Sequence, residues 1–380
     1  MTDLETRPAP PGAALLRRAA PALLGYAAVR ALGLLTLALW STASGKDAYT
    51  LLTARWDALW YARVAGPGYG YQVRLPNGDV HSALAFFPLL PWLERLLHAV
   101  SPLSYADAGF TVSLLASLAA ACGVFAVADR LYGRRAGVCA VLLWAVLPVG
   151  IVQSMAYSES LFTALAAWSL YAVLAGRLPA AGALALLAGL TRPVGLAVVA
   201  AVWTAGISAA VRGSFSWRHA LGMALAPLGA AGYVLWVGRR TGGGVLGYLD
   251  VQAGWRNGFD GGYAFARFVG AMFTSFPSAL AGAGLIVGVA LVLRLYVAGV
   301  RRGQPLPLLV YTGVVTVLAL CASSYFGSKP RLLMPAFPLL FPLATALARA
   351  RTSRSALVVG GVAVASAVYG AFWLTGSGPP

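Results

Sequence analysis

Apolar stretches long enough to cross a bilayer recur along almost the whole chain, separated by short basic loops, and they limit its possible folds more than any other feature. They read as spans over Leu23–Trp40, Ala108–Leu131, Ala136–Val152, Ser160–Leu174, Leu178–Leu190, Val194–Val211, Ala220–Val237, Ala279–Ala298, Pro307–Ala322, Leu332–Ala348 and Ala356–Leu374. A soluble core of 380 residues has no room for a composition that is 59% hydrophobic and 10% charged, with a mean hydropathy of +0.77. The expected class is an all-α polytopic membrane protein of about eleven transmembrane helices. Residues 1–22 read as a cytoplasmic tail, 23–375 as a single transmembrane domain and 376–380 as a second tail. The run Leu23–Trp40 exceeds a signal-peptide core of about 7–15 residues, so it reads as an uncleaved signal anchor.

The net charge of +17 is carried by arginines that sit singly or in pairs between apolar runs. Topology and anionic membrane lipids account for that pattern, and no basic face for nucleic acid is seen. With the N-terminus inside, the cytoplasmic loops carry Arg130, Arg134 and Arg135; Arg177; Arg212 and Arg218; Arg301 and Arg302; and Arg349, Arg351 and Arg354. This holds only if Phe86–Val100 does not cross. That stretch is short, is broken by Pro88 and Pro91, and carries Glu94, Arg95 and His98, so it is expected flat on the outer interface. Two extracytoplasmic loops follow, a large one at 41–107 containing interfacial helices and a second at 239–278. Asp3, Glu5 and Asp129 then fall inside, whereas Asp47, Asp57, Asp79, Glu94, Asp107, Glu159, Asp250 and Asp260 fall outside. Because acids contribute little to orientation, this bias is independent of the rule that set it, and it points to chemistry on the outer face. Cys122, Cys139 and Cys321 lie within apolar runs and read as packing residues.

Two apolar stretches are too long for one crossing. Ala136–Gly176, 41 residues, would extend roughly 60 Å as a helix and therefore reads as a hairpin with its tip at Gln153–Glu159. Leu178–Val211, 34 residues and roughly 51 Å by the same rise, is broken at Thr191-Arg192-Pro193. Each tip is expected on the outer side and bears one charge, Glu159 or Arg192. In the first outer loop, helical spacing places Trp56, Trp60 and Tyr61 around Asp57, a carboxylate in an aromatic setting that suits a base. The alternative is an aromatic interfacial belt with a solvated aspartate.

The segments Trp56–Tyr61, Gly68–Tyr69, Ala85–Pro91, Tyr157–Phe162, Thr191–Gly195, Gln252–Arg256 and Pro330–Pro338 occur in an order that resembles the PIG-V type of mannosyltransferase. The resemblance spans most of the chain. It implies a GT-C fold, and a polyprenyl-phosphate sugar, typically mannose, used on the non-cytoplasmic face of what the arginine-rich composition suggests is a bacterial cytoplasmic membrane. The chain departs from the eukaryotic pattern in two places. His81-Ser82-Ala83-Leu84 stands where an Asn precedes Ala-Phe-Phe-Pro, and Pro-Val-Gly follows Arg192. The acceptor therefore stays open among lipid, glycan and protein.

Inverting transfer from a lipid phosphate requires a base for the acceptor hydroxyl and cations where negative charge grows on the leaving phosphate. Asp57 is the candidate base. Arg192, Arg256, Lys329 and Arg331 are the candidate phosphate-binding cations, arginine being suited to bidentate contact. The alternative roles are snorkelling for Arg192 and lipid head-group binding for the other three. Candidate substrate-binding residues are Trp56, Trp60, Tyr61, His81, Glu159, Gln252 and Trp255; structural pairing with an arginine is the alternative for Glu159, and simple solvation for His81. Asp57 and Asp79 lack the company of a strong metal site, so neither a metal nor another cofactor is expected. A transporter or lipid flippase is the competing class, but no two-fold internal repeat supports it.

Overall fold

The computed structural model describes residues 12–376 and 378. Asp3, Glu5 and the rest of residues 1–11 lie outside the described residues, as do 377, 379 and 380 of the second expected tail.

In hydrocarbon every backbone N–H and C=O has to be satisfied within the protein, and the chain meets this with helices. Helix α1 (Gly12–Ala43) leads into the short α2 (Ala48–Thr53) and α3 (Asp57–Ala65), a two-stranded hairpin of β1 (Gln72–Arg74) and β2 (Val80–Ser82), and α4 (Leu89–Ala99). The central α5 (Tyr105–Tyr132) is followed by α6 (Arg134–Ala145), α7 (Ser158–Leu174), α8 (Leu178–Gly189), α9 (Leu196–Val211), α10 (Trp217–Leu225) and α11 (Leu228–Thr241). The second long loop holds α12 (Gly247–Gly254), β3 (Gly258–Phe259) and α13 (Tyr263–Ala271), before α14 (Phe276–Arg301) and α15 (Leu306–Cys321). Strand β4 (Ala322–Ser323) pairs antiparallel with β3, and α16 (Lys329–Leu333), α17 (Phe341–Arg349) and α18 (Thr352–Thr375) complete the chain.

Among the described residues six helical segments are long and apolar enough to cross a bilayer: α1, α5, Pro193–Val211, Trp217–Thr241, α14 and α18. The expected span Leu332–Ala348 is a pair of helices bent by 74° at Met334–Ala336, where Pro335 interrupts the run. The spans expected at Ala136–Val152, Ser160–Leu174, Leu178–Leu190 and Pro307–Ala322 are the shorter helices α6, α7, α8 and α15. Helix α1 begins eleven residues before the expected first span, so Arg17 and Arg18 ride on it. Within Phe86–Val100 the chain forms the 11-residue α4, whose Leu90, Pro91 and Glu94 face inward while Trp92 and Leu96 face out.

The core is built on small residues. Helix α5 buries Ala116, Ala120, Ala121, Gly123, Ala126 and Ala128, and α7 buries Ala164, Ala166 and Ala167. These let the backbones approach closely: a methyl group at Gly123 would stand 2.9 Å from the Ala167 Cβ. Helix α8 meets α10 in the same way, and a methyl group at Gly182 would overlap the Gly222 carbonyl. Helix α14 buries only Gly282 and Gly299 and therefore lies at the periphery of the bundle, its apolar side chains facing outward.

The charges separate between the two ends of this bundle. At one end, Arg18 forms a bidentate pair with Asp129 at 2.7 and 3.0 Å, Arg134 donates to the Arg18 carbonyl, Arg135 to Ala350 and Thr352, Arg130 to Leu174, and Arg302 to Pro342 and Thr345. All of these are residues whose loops were grouped on one side by charge alone. The opposite end carries the two long loops and the Asp57–Arg331–Glu159–Arg192 cluster.

Candidate active site

The short helices end where the charges collect. Helix α6 stops at Ala145, and the chain then runs through a buried irregular stretch to Tyr157, where α7 begins. The tip Gln153–Glu159 is thus no exposed turn but backbone held inside the protein, with the Ala156 N–H bonded to Leu52 and the Tyr157 carbonyl accepting from Ser113. Irregular backbone at this depth is tolerated because protein rather than lipid surrounds it. Arg30 of α1, a residue not singled out from the sequence, donates to the Ala145 and Gly150 carbonyls and so satisfies the end of α6.

Four charged side chains from four separate parts of the chain meet at this level. Arg331 of α16 donates from Nη1 to Asp57 Oδ2 at 2.8 Å, and its Nε lies 3.3 Å from Glu159 Oε1. Glu159 also pairs with Arg192, which stands in the break between α8 and α9. Ser158 completes the chain of contacts, accepting from Arg192 Nη1 at 3.3 Å and sharing a 2.7 Å hydrogen bond with the Tyr61 hydroxyl. The Tyr157 ring lies 5.1 Å below the Arg331 guanidinium. Exposure is graded: 1% for the Glu159 side chain, 8% for Arg331, 15% for Arg192 and 23% for Asp57, so Asp57 marks the open side.

Asp57 is the first residue of α3, and Trp56 before it has φ 50° and ψ −125°. A tryptophan at positive φ is costly, and such outliers persist where packing over-determines them, commonly at functional sites. The Arg55 guanidinium covers the Trp56 indole at 4.2 Å. Trp60, one turn on from Trp56, joins a cluster in the outer layer: it stacks on Phe86 at 5.5 Å and meets Trp255 edge-on at 4.9 Å, while Tyr61 meets Phe86 at 5.1 Å.

Trp255 ties the second long loop to the first. His81 stacks on the Trp255 indole at 4.0 Å with an 11° interplanar angle, and the Trp255 indole N–H donates to the Ser82 carbonyl at 3.1 Å. Burial against this stack lowers the His81 pKa below the usual imidazole value, partly opposed by Asp79. Arg256 bonds Asp79 at 2.6 Å on the exposed rim and also has positive φ, 54°. Gln252 is engaged within its own loop, donating to the Tyr248 hydroxyl and accepting from Asn257. Lys329 is buried, and its ammonium donates to the carbonyls of Ala319, Leu320 and Ala322 at 2.9–3.1 Å, capping the end of α15. The structure thus brings Asp57, Tyr61, Glu159, Arg192 and Arg331 together, places Trp60, His81 and Trp255 above them, and directs Lys329, Arg256 and Gln252 to other partners. Ser158, the bridging residue, has no sequence signal of its own: it is an uncharged serine between Tyr157 and Glu159, and only the fold shows what it bridges. Among the described residues no three His, Cys, Asp or Glu side chains gather as a metal-ligand group.

The fold is similar to that of ArnT from Cupriavidus metallidurans. The structure of that protein bound to undecaprenyl phosphate matches with a TM-score of 0.54 at 16% identity, over 89% of this chain and 62% of the other. Its apo state matches with a TM-score of 0.52 at 17% identity, over 81% and 58%. The chain spans roughly three fifths of the length of this neighbour. No family model and no curated protein matches the sequence. The architecture is a GT-C-like, multi-pass membrane fold.

Proposed function

We propose that this GT-C-like protein is a glycosyltransferase of the PIG-V kind that moves a sugar, mannose on the motif resemblance, from a polyprenyl-phosphate donor to a lipid, glycan or protein acceptor on the extracytoplasmic face. The observation that carries this reading is the buried cluster of Asp57, Arg331, Glu159 and Arg192 beneath an aromatic outer layer. It unites a carboxylate on the open side with two guanidiniums, the groups that phosphate departure requires. That a protein of similar fold has been captured with undecaprenyl phosphate supports a polyprenyl-linked donor.

In the proposed reaction Asp57 takes the proton of the acceptor hydroxyl as its oxygen bonds to the anomeric carbon. The bond from that carbon to the phosphate oxygen breaks on the opposite face, its electron pair leaving with the phosphate, so the configuration inverts. Arg331 and Arg192 stabilise the charge on the departing phosphate, and the Trp60 layer offers apolar faces to sugar rings.

The test is transfer of radiolabelled mannose from polyprenyl-phosphate mannose to membrane extracts by the purified protein. Asp57→Asn keeps shape but accepts no proton, and turnover should drop by about 10² or more. Asp47→Asn, in the same loop, should be nearly silent, because Asp47 caps α2 through Thr50 and Tyr49 and touches no arginine. Full turnover by Asp57→Asn would remove the base, and absence of transfer by the wild type from this donor would remove the donor.

A further inference from the structure

The charges at the base of the site sum to zero, Asp57 and Glu159 against Arg192 and Arg331. Each group the reaction needs is therefore already engaged. A carboxylate that accepts a charge-assisted hydrogen bond from a guanidinium has to give up that bond to take a proton. A guanidinium donating to a carboxylate has to give up the same bond to hold a phosphate. Both statements describe one contact, Arg331 Nη1 to Asp57 Oδ2 at 2.8 Å.

The geometry shows which side of that contact yields. Arg331 is buried, seated over the Tyr157 ring and held by Glu159 on its inner edge, whereas Asp57 is the most open of the four and follows the strained Trp56 backbone. Glu159 holds both arginines by charge: it lies 3.3 Å from Arg331 Nε and closer still to Arg192, although none of these contacts is an aligned hydrogen bond. The other ionisable groups facing Asp57 are Tyr157 and Glu159 at the start of α7, Arg192 between α8 and α9, and Tyr61 on its own helix.

We propose that the donor phosphate and Asp57 compete for Arg331, so that binding of the donor is the event that releases Asp57 to act as base, with Glu159 as the positioning residue that keeps both arginines in place during the exchange. This rests on the glycosyltransferase reading and assigns an order to it. The acceptor hydroxyl meets a competent base only after the phosphate is seated, which ties proton abstraction to the presence of a sugar to receive the attack. The competing role for the Asp57–Arg331 pair is a tether between α3 and α16 with no part in binding.

The test is equilibrium binding of undecaprenyl phosphate to the full-length protein in detergent, for the wild type, Asp57→Asn, Arg331→Gln and the double variant. Competition predicts that Asp57→Asn, although unable to transfer, binds roughly two- to fivefold tighter than wild type, the range expected for releasing a partly exposed ion pair. In the Arg331→Gln background the same change should have almost no effect, because the gain passes through Arg331. If Arg331→Gln does not accumulate, Arg331→Lys takes its place, and the Asp57→Asn gain should then be smaller than in wild type. Asp47→Asn should bind as wild type does. Unchanged or weaker binding by Asp57→Asn would overturn the proposal. So would equal tightening in both backgrounds, which would mean only that a nearby negative charge had been removed. Absence of saturable binding by the wild type would instead strike the polyprenyl-phosphate reading on which the proposal stands.

Discussion

The Glu159–Arg192 pair is buried, and its cost depends on which partner is removed. Taking away one ion of a buried pair costs about 3–5 kcal/mol because the other is left uncompensated, whereas removing both charges is far milder. Arg331 partly compensates Glu159, so Arg192→Ala should fall towards the low end of that range. We expect Arg192→Ala to lower the unfolding temperature and transfer together. Adding Glu159→Gln should recover most of the unfolding temperature while transfer stays low, because phosphate loses a guanidinium in both variants. Recovery of transfer with stability would make Arg192 purely structural. At this scale the residue types were legible and their partners were not. Asp57, Glu159, Arg192 and Arg331 each stood out as a charge in apolar surroundings, but Asp57 and Arg331 are 274 positions apart, and no periodicity reports such a contact. The same limit explains Lys329, which reads as a free cation until the carbonyls ending α15 are brought around it.

Among the elements, length arithmetic located the breaks after α6 and α8, and Phe86–Val100 forms only the short α4. That arithmetic did not show that α6, α7, α8 and α15 would be too short to cross alone. Helix length is set by where tertiary contacts take over the backbone hydrogen bonds, as Arg30 does at the end of α6, and such partners come from distant sequence. Helix α4 carries a prediction of its own. Its Glu94 is 1% exposed, Oε2 has no hydrogen-bond partner among the described residues, and the side chain is pressed against Gly109 of α5, where any methyl group would overlap it. Burial pushes the Glu94 carboxyl well above the usual carboxylate range. An acid whose folded pKa is raised contributes stability that is complete below the unfolded pKa, about 4.3, and lost as pH rises through the folded value. Glu94→Gln cannot lose it. Thermal unfolding in detergent should therefore show the variant more stable than wild type at neutral pH, with the difference closing near pH 4. A difference independent of pH would mean that Glu94 has an unseen partner, and Gly109→Ala should destabilise at every pH.

For the whole molecule, the arginines predicted which loops share a side, and the packed helices keep them together. Arg18, Arg130, Arg134, Arg135 and Arg302 converge at one end, while Asp57, Glu159 and Arg192 lie towards the other, where Lys46 donates to the Thr375 carbonyl at the end of α18. This grouping was legible because positive charge is placed by topology rather than by tertiary contact. The fold fixes the two ends relative to each other, and the expectation from the arginine-bearing loops is that the first of them faces the cytoplasm. Asn77, in the turn between β1 and β2, and Ser214, between α9 and α10, are exposed reporters of opposite ends. With Cys122, Cys139 and Cys321 replaced by alanine, Asn77→Cys should react with an impermeant thiol reagent in intact cells, and Ser214→Cys only after permeabilisation. The reverse pattern would place the Asp57 cluster on the cytoplasmic side, where donor and acceptor would have to be sought among cytoplasmic sugars. Labelling of both in intact cells would contradict the separation of the two ends itself. The expected pattern puts an aromatic-rimmed carboxylate and its two guanidiniums at the outer surface, within reach of a lipid-linked phosphate lying in the outer leaflet.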